Sequence, residues 1–155
     1  MSFIPGAVTS NEEVADQLWT DTAREGLTSA VYTEGPVSRT DIVRYAGASG
    51  DFNPLHHDEV VAKEAGLPSV FAMGMLGAGY LARLVSDWLG LQNLQHFRVR
   101  FAAQVWPGEV LHSSGSVTRV YEEDGESRVE AAFSMTNAEG EIKIRASATA
   151  RLESR

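Results

Sequence analysis

The chain contains no cysteine at all. Disulfide frameworks, cysteine-ligated zinc and thiolate nucleophiles are therefore excluded. Positive charge is scarce. Lys and Arg number 13 against 21 Asp and Glu, a formal charge of −8. Such a chain lacks the basic footprint of a general nucleic-acid binder and the attraction that draws proteins to anionic membranes. No uncharged apolar run reaches the ~18 residues of a membrane span. Residues 1–19 have neither a basic region nor a long apolar core, so no secretory signal is expected and a cytoplasmic location is. Linkers rich in Pro, Gly and Ser and internal repeats are missing too.

What remains is an ordinary globular composition, 43% hydrophobic and 22% charged over 155 residues. A chain of that length hides about 70% of its unfolded surface in one core. Residues 1–26 read as an N-terminal extension, and residues 27–155 as a single domain. In the extension, Ser10 with Glu13 forms a capping-box pattern, and Val14 and Leu18 are four apart, which predicts a short helix over about 11–24. Leu27 to Tyr32 reads as a first strand. Ser38 with Asp41 caps a second helix, whose buried face carries Ile42, Tyr45 and Ala46 and which stops near Gly47 to Gly50. A loop follows, with a short helix near Asp58–Ala65.

Met75 to Leu89 is apolar nearly all round. A helix of that kind is buried rather than laid on a surface. At about 15 residues, roughly 22 Å, it is too short to cross a bilayer. Gly77 and Gly79 would admit close neighbours.

Beyond it the period falls to two. Phe97, Val99, Phe101, Ala103 and Val105 share one face, as do Val129, Ala131, Phe133 and Met135, and then Ile142, Ile144, Ala146, Ala148, Ala150 and Leu152. Val110 to Tyr121 is a less regular strand. Asp124-Gly125 and Asn137 to Gly140 fall where hairpins must turn. Helices first, one fully buried helix, then about four long antiparallel strands give an α+β architecture: a curved sheet wrapped around a helix. No Gly-rich phosphate loop follows a strand.

Chemistry-bearing side chains concentrate in Ser49-Gly50-Asp51-Phe52-Asn53-Pro54-Leu55-His56-His57-Asp58. Pro54 fixes its own φ and biases Asn53 to an extended shape. The Asn53 amide can lock the turn. A bend stiffened in this way can bring the Asp51 carboxylate and the His56 imidazole onto one water, one group removing a proton and the other returning it. The same string also describes a plain tight loop, with Asp51 capping the turn. His56, His57, Asp58 and Glu59 match no zinc-binding spacing, and no metal is expected. A second feature is Phe71-Ala72-Met73-Gly74-Met75, at the start of the buried helix. Its backbone N–H groups lie at the positive end of the helix dipole, and Gly74 lets an oxyanion approach. Packing alone would equally explain that glycine.

Tyr45-Ala46-Gly47-Ala48-Ser49-Gly50-Asp51-Phe52-Asn53-Pro54-Leu55-His56, with Gly66-Leu67-Pro68, Gly74-Met75-Leu76 and Trp106-Pro107-Gly108-Glu109, resembles the MaoC-like dehydratases, the (R)-specific enoyl-CoA hydratase family. The likeness runs over Ser38 to Arg151 and is sharp between Tyr45 and Leu76. It implies the hotdog fold. It implies a hydro-lyase of fatty acid metabolism that interconverts trans-2-enoyl and (R)-3-hydroxyacyl thioesters carried on coenzyme A or acyl carrier protein. In that reading Asp51 and His56 activate water, the Gly74 N–H takes the thioester oxygen, and Asn53 and Pro54 support the loop. No cofactor is implied. The expected assembly is a homodimer joined sheet edge to edge, or a heteromer in which this chain is the active subunit. A hotdog thioesterase is the alternative activity. Met73 departs from the pattern, standing where many members carry a histidine. Arg98, Arg100, Lys143 and Arg145 read as the solvated face of strands, with contact to a phosphate-bearing carrier as the alternative.

Overall fold

A computed structural model describes residues 16–154. A strand, β1 (Tyr32–Glu34), precedes helix α1 (Arg39–Ser49). A one-turn 3₁₀ segment (Pro54–His56), α2 (Glu59–Glu64) and the long helix α3 (Gly74–Leu89) follow. Four strands complete the chain: β2 (Leu94–Phe101), β3 (Leu111–Glu123), β4 (Glu126–Asn137) and β5 (Ile142–Arg151). They form one antiparallel sheet in the order β1-β3-β4-β5-β2. The sheet curves around α3, as the hotdog arrangement requires. No helix among the described residues is long and apolar enough to cross a membrane.

Local chemistry explains the element boundaries. Ser38 Oγ accepts the Asp41 N–H at 3.1 Å, while the Asp41 carboxylate takes the Ser38 N–H at 2.9 Å, a closed capping box. Gly50 ends α1 with φ 74°, and its N–H reaches Ala46 O. Asp124 and Gly125 both have positive φ, 55° and 78°, which matches the right-handed twist of the β3–β4 hairpin. Asn137 closes the next hairpin by accepting the Glu141 N–H at 2.8 Å.

Along α3, Leu76, Leu81, Leu84, Val85, Trp88 and Leu89 are buried. Each such side chain removed from water is worth about 1.5–3 kcal/mol, so the helix is held by its sheath. A Cβ on Gly77 would stand 2.9 Å from Ile144 Cδ1, so this glycine admits a β5 side chain; Gly79 has nothing within 4 Å and does not share that role. A Cβ on Gly115 would lie 2.4 Å from the Phe133 ring, its partner across the β3–β4 ladder.

Four expectations need correction. The part of the expected 11–24 helix that falls at 16–24 is turn and irregular backbone; residues 11–15 lie outside the described set. Tertiary bonds replace the helix there: Leu18 N–H to Trp88 O at 2.7 Å and Thr20 N–H to Glu153 O at 3.0 Å, with Leu18 buried. Of the strand expected over Leu27 to Tyr32, an isolated antiparallel bridge of Thr28 to Ser116 forms, and the continuous strand begins only at Tyr32; between them Ser29 Oγ takes the Gly115 N–H and interrupts the ladder. The strand expected through Val105 ends at Phe101. It lies at the sheet edge, so Phe97 and Phe101 are 38% and 49% exposed instead of buried. Finally, Lys143 is not on a solvated face: none of it is exposed.

Candidate active site

The sequence between α1 and α2 folds as a chain of local side-chain-to-backbone bonds. Ser49 Oγ donates to Tyr45 O at 2.7 Å and accepts the Asp51 N–H at 3.2 Å. Asp51 Oδ1 accepts the Asn53 N–H at 3.3 Å, and Asn53 Oδ1 accepts the Leu55 N–H at 3.1 Å. Pro54 occupies the first position of the 3₁₀ turn, where a missing N–H costs nothing. The turn drives His56 inward, leaving it 7% exposed, while Asp51 stays half-exposed.

His56 Nε2 and Asp51 Oδ2 are 3.8 Å apart, a gap that a water can bridge. The other ring nitrogen, Nδ1, lies 2.7 Å from Phe71 O. A carbonyl can only accept, so Nδ1 carries a proton, and Nε2 is the nitrogen turned toward Asp51; in the neutral ring it is the basic one. The ring also packs edge-on against Phe71, centroids 4.8 Å apart, and Phe71 against Trp106 at 5.9 Å. The imidazole is thus held by both the carbonyl and the ring of Phe71, the latter braced by Trp106.

Asp51, His56 and Gly74 line one cavity of about 450 Å³, with Phe71, Met73, Met75, Gly77, Phe101 and Ile144 making its apolar wall. Gly74 opens α3, and its N-cap Met73 offers no side-chain bond. The first amides of α3 therefore have no capping side chain, and Gly74, which carries the first of them, lines the cavity. Met73 is buried in the wall. A Cβ on Gly74 would meet Phe101 Cε1 at 2.9 Å, so the ring and the helix end are in close contact.

The structure brings Asp51, His56 and Gly74 together. It keeps Asn53 and Pro54 behind them, off the cavity wall, as parts of the bend. The neighbouring polar residues are dispersed. His57 Nε2 donates to Phe52 O, Asp58 caps α2, and Glu59 pairs with Arg39 at 2.6 Å. Among the described residues, no three His, Asp or Glu side chains are grouped to hold a metal. Arg98, Arg100 and Arg145 are exposed.

Two contributors escape the sequence reading. Phe71 acts through its carbonyl, and any residue type supplies one, so no letter could have flagged it. Lys143 is the second. Its ammonium lies 2.7 Å from both Glu109 and Glu141 and donates to Gln104 O at 2.9 Å. Glu109, the acid after Trp106-Pro107-Gly108, was the available signal.

Comparison with known proteins gives the family. A family model described as a MaoC-like domain matches residues 23–139. A 3-hydroxyacyl-thioester dehydratase from Mycobacterium tuberculosis is 36% identical over 69 residues, 44% of this chain and 24% of that protein. A peroxisomal multifunctional enzyme from Mus musculus is 37% identical over 68 residues, 42% of this chain and 9% of that protein. The chain thus spans less than a quarter of either relative. An R-hydratase from Pseudomonas aeruginosa shares the fold with a TM-score of 0.74 at 23% identity, over 87% of this chain and 85% of that one. With three quarters of its length matched by that family model, and a hotdog sheet behind the match, the chain belongs to the MaoC-like domain family.

Proposed function

We propose that this chain is a hydro-lyase that interconverts trans-2-enoyl thioesters and (R)-3-hydroxyacyl thioesters, carried on coenzyme A or acyl carrier protein. The single observation behind this reading is the approach of His56 Nε2 to Asp51 Oδ2 at 3.8 Å on a cavity that Gly74 also lines. In hydration, a water held between the two groups gives a proton to Nε2 while its oxygen forms the bond to C3. The C2–C3 double bond shifts to an enolate whose oxygen rests on the Gly74 N–H at the positive end of α3. The imidazolium, beside the Asp51 carboxylate, returns the proton to C2. Water has then added across the double bond, and dehydration is the same path reversed. The apolar wall suits an acyl chain, and the half-exposed Asp51 keeps a water path open.

In this reading residues 27–155 act as one domain and pair with a second copy along β2. That edge strand carries Phe97 and Phe101 half-exposed. The test is hydration of crotonyl-CoA, followed as loss of the enoyl absorbance and run beside a free-thiol assay. The expected result is hydration without thiol release. Thiol release without hydration would instead mark a thioesterase.

A further inference from the structure

The cavity has one wall with no regular secondary structure. β2 ends at Phe101, and residues 102–105 then pass along the cavity without a strand ladder. Backbone groups beside a buried core must find partners somewhere. Here Lys143 and Glu109 hold four of them, two through the Lys143 main-chain carbonyl and two through the charged side chains. The Ala102 and Ala103 N–H groups reach Lys143 O at 2.9 and 3.3 Å. Gln104 O accepts from the Lys143 ammonium, and the Trp106 N–H donates to Glu109 Oε2 at 2.8 Å. The ammonium in turn is fixed by Glu109 Oε1 and Glu141 Oε2, both at 2.7 Å, and Asn137 Nδ2 donates to Glu109 at 2.9 Å. All three ammonium donors are used, and no part of Lys143 meets solvent.

The far side of this strap bears on the reacting groups. Val105 O accepts the Ala72 N–H at 2.8 Å. Ala72 stands between Phe71, whose carbonyl holds His56 Nδ1, and Met73-Gly74, which open α3. Trp106 also braces the Phe71 ring. A buried ion pair is weak evidence for added stability, since desolvation offsets much of its attraction. What this one does contribute is a fixed backbone position one hydrogen bond away from both halves of the site.

We propose that Lys143 and Glu109 are positioning residues for the reaction: they set the 102–106 strap, and through Val105 O they hold the His56 ring and the Gly74 amide in register. The kinetic part of this rests on the hydratase reading above; the spectroscopic part does not. Lys143→Met and Glu109→Gln are compared with Val129→Ala, which thins the core at the opposite end of β4. The kinetic readout is kcat and KM for crotonyl-CoA below each variant's melting temperature. The second readout is the His56 Nδ1–H resonance in ¹⁵N-histidine-labelled protein, assigned by its loss in His56→Gln.

The expected result is a kcat lowered about 10- to 100-fold in Lys143→Met, the range produced by sub-ångström to 1 Å misplacement, with KM changed less than about twofold. Glu109→Gln falls in the same direction by a smaller factor. The His56 Nδ1–H signal shifts or broadens in both variants and stays in place in Val129→Ala. If Lys143→Met does not fold, Glu109→Gln decides the matter. Folded Lys143 and Glu109 variants with an unmoved Nδ1–H signal and kcat within about twofold of wild type would overturn the proposal. A wild-type chain without hydratase activity, but with the resonance moved by both variants, would fault the functional reading and leave the positioning intact.

Discussion

The His56 imidazole and the Phe71 carbonyl are joined by a 2.7 Å hydrogen bond that only an Nδ1–H can make. This one bond fixes the tautomer, and with it which nitrogen faces Asp51. Replacing His56 by Gln keeps an amide able to reach a carbonyl but removes the basic nitrogen. His56→Gln is expected to lower hydration at least ~100-fold, the scale of lost general acid–base catalysis, and to melt closer to wild type than His56→Ala. Asp51→Asn, at a half-exposed position, should lose as much rate with little change in melting temperature. Normal rates in both folded variants would remove these residues from the chemistry.

Gly74 can be tested for its amide separately from its packing. Gly74→Ala brings a methyl within 2.9 Å of Phe101 Cε1. Phe101 is 49% exposed on an edge strand, so its ring has room to turn away and the fold should survive. The methyl would then crowd the amide proposed to take the thioester oxygen. A loss of about 10²-fold in kcat is expected, the scale of a removed oxyanion donor. The discriminating measurement is the double variant Gly74→Ala/Phe101→Ala. Recovery of the rate there would assign Gly74 to packing alone.

Gly115 predicts the opposite pattern, in a paired strand of the same protein. Its missing Cβ would fall 2.4 Å from the ring of Phe133, which is 4% exposed and has nowhere to go. Gly115→Ala should destabilise by at least the ~1–3 kcal/mol typical of overpacking, measured by urea unfolding. In whatever fraction stays folded, kcat should match wild type.

These contrasts show what the sequence could and could not disclose. The capping box at Ser38 and Asp41, the apolar α3 and the period-2 strands are local patterns and each formed, though β2 stops at Phe101 and α3, expected to be fully buried, leaves Met75 60% exposed. The bend from Ser49 to His56 was readable because its bonds join residues two to five positions apart. Three features were hidden by distance along the chain. Residues 16–24 are held by Trp88 O and Glu153 O, and Lys143 is buried by Glu109 and the strap at 102–106. Alternation along β2 gave the right faces for Phe97 and Phe101 but not their exposure. That depends on β2 having a neighbour on one side only.

The edge position of β2 carries its own prediction. A long edge strand bearing half-exposed phenylalanines is a pairing surface unless something covers it. In the proposed dimer that cover is a second copy. Phe97→Lys should shift the sedimentation coefficient from dimer toward monomer while the far-ultraviolet spectrum is retained. An unchanged dimer would place the interface elsewhere.

The Lys143–Glu109 pair also sets a pH dependence. Burial alone would raise Glu109, but hydrogen bonds from Lys143, Asn137 and the Trp106 N–H outweigh it and hold the carboxyl below its ordinary 4.5. Burial alone would lower Lys143, and bonds to Glu109 and Glu141 outweigh it, raising the ammonium above 10.5. A carboxyl depressed in the folded state stabilises the fold at pH above its unfolded value, and that contribution is lost as pH falls from about 4.5 through the lower folded value. An ammonium raised in the folded state stabilises below about 10.5, and that contribution is lost as pH climbs through the higher folded value. Asp41, lowered by its bond to Ser38, and Glu59, lowered by Arg39, add to the acid limb. Urea midpoints against pH should therefore fall at both ends. Glu109→Gln should flatten the acid limb without abolishing it, because Asp41 and Glu59 remain. Lys143→Met should flatten the alkaline limb. An acid limb of unchanged slope in Glu109→Gln would mean that this carboxyl titrates alike in folded and unfolded chains, contrary to the hydrogen bonds it accepts.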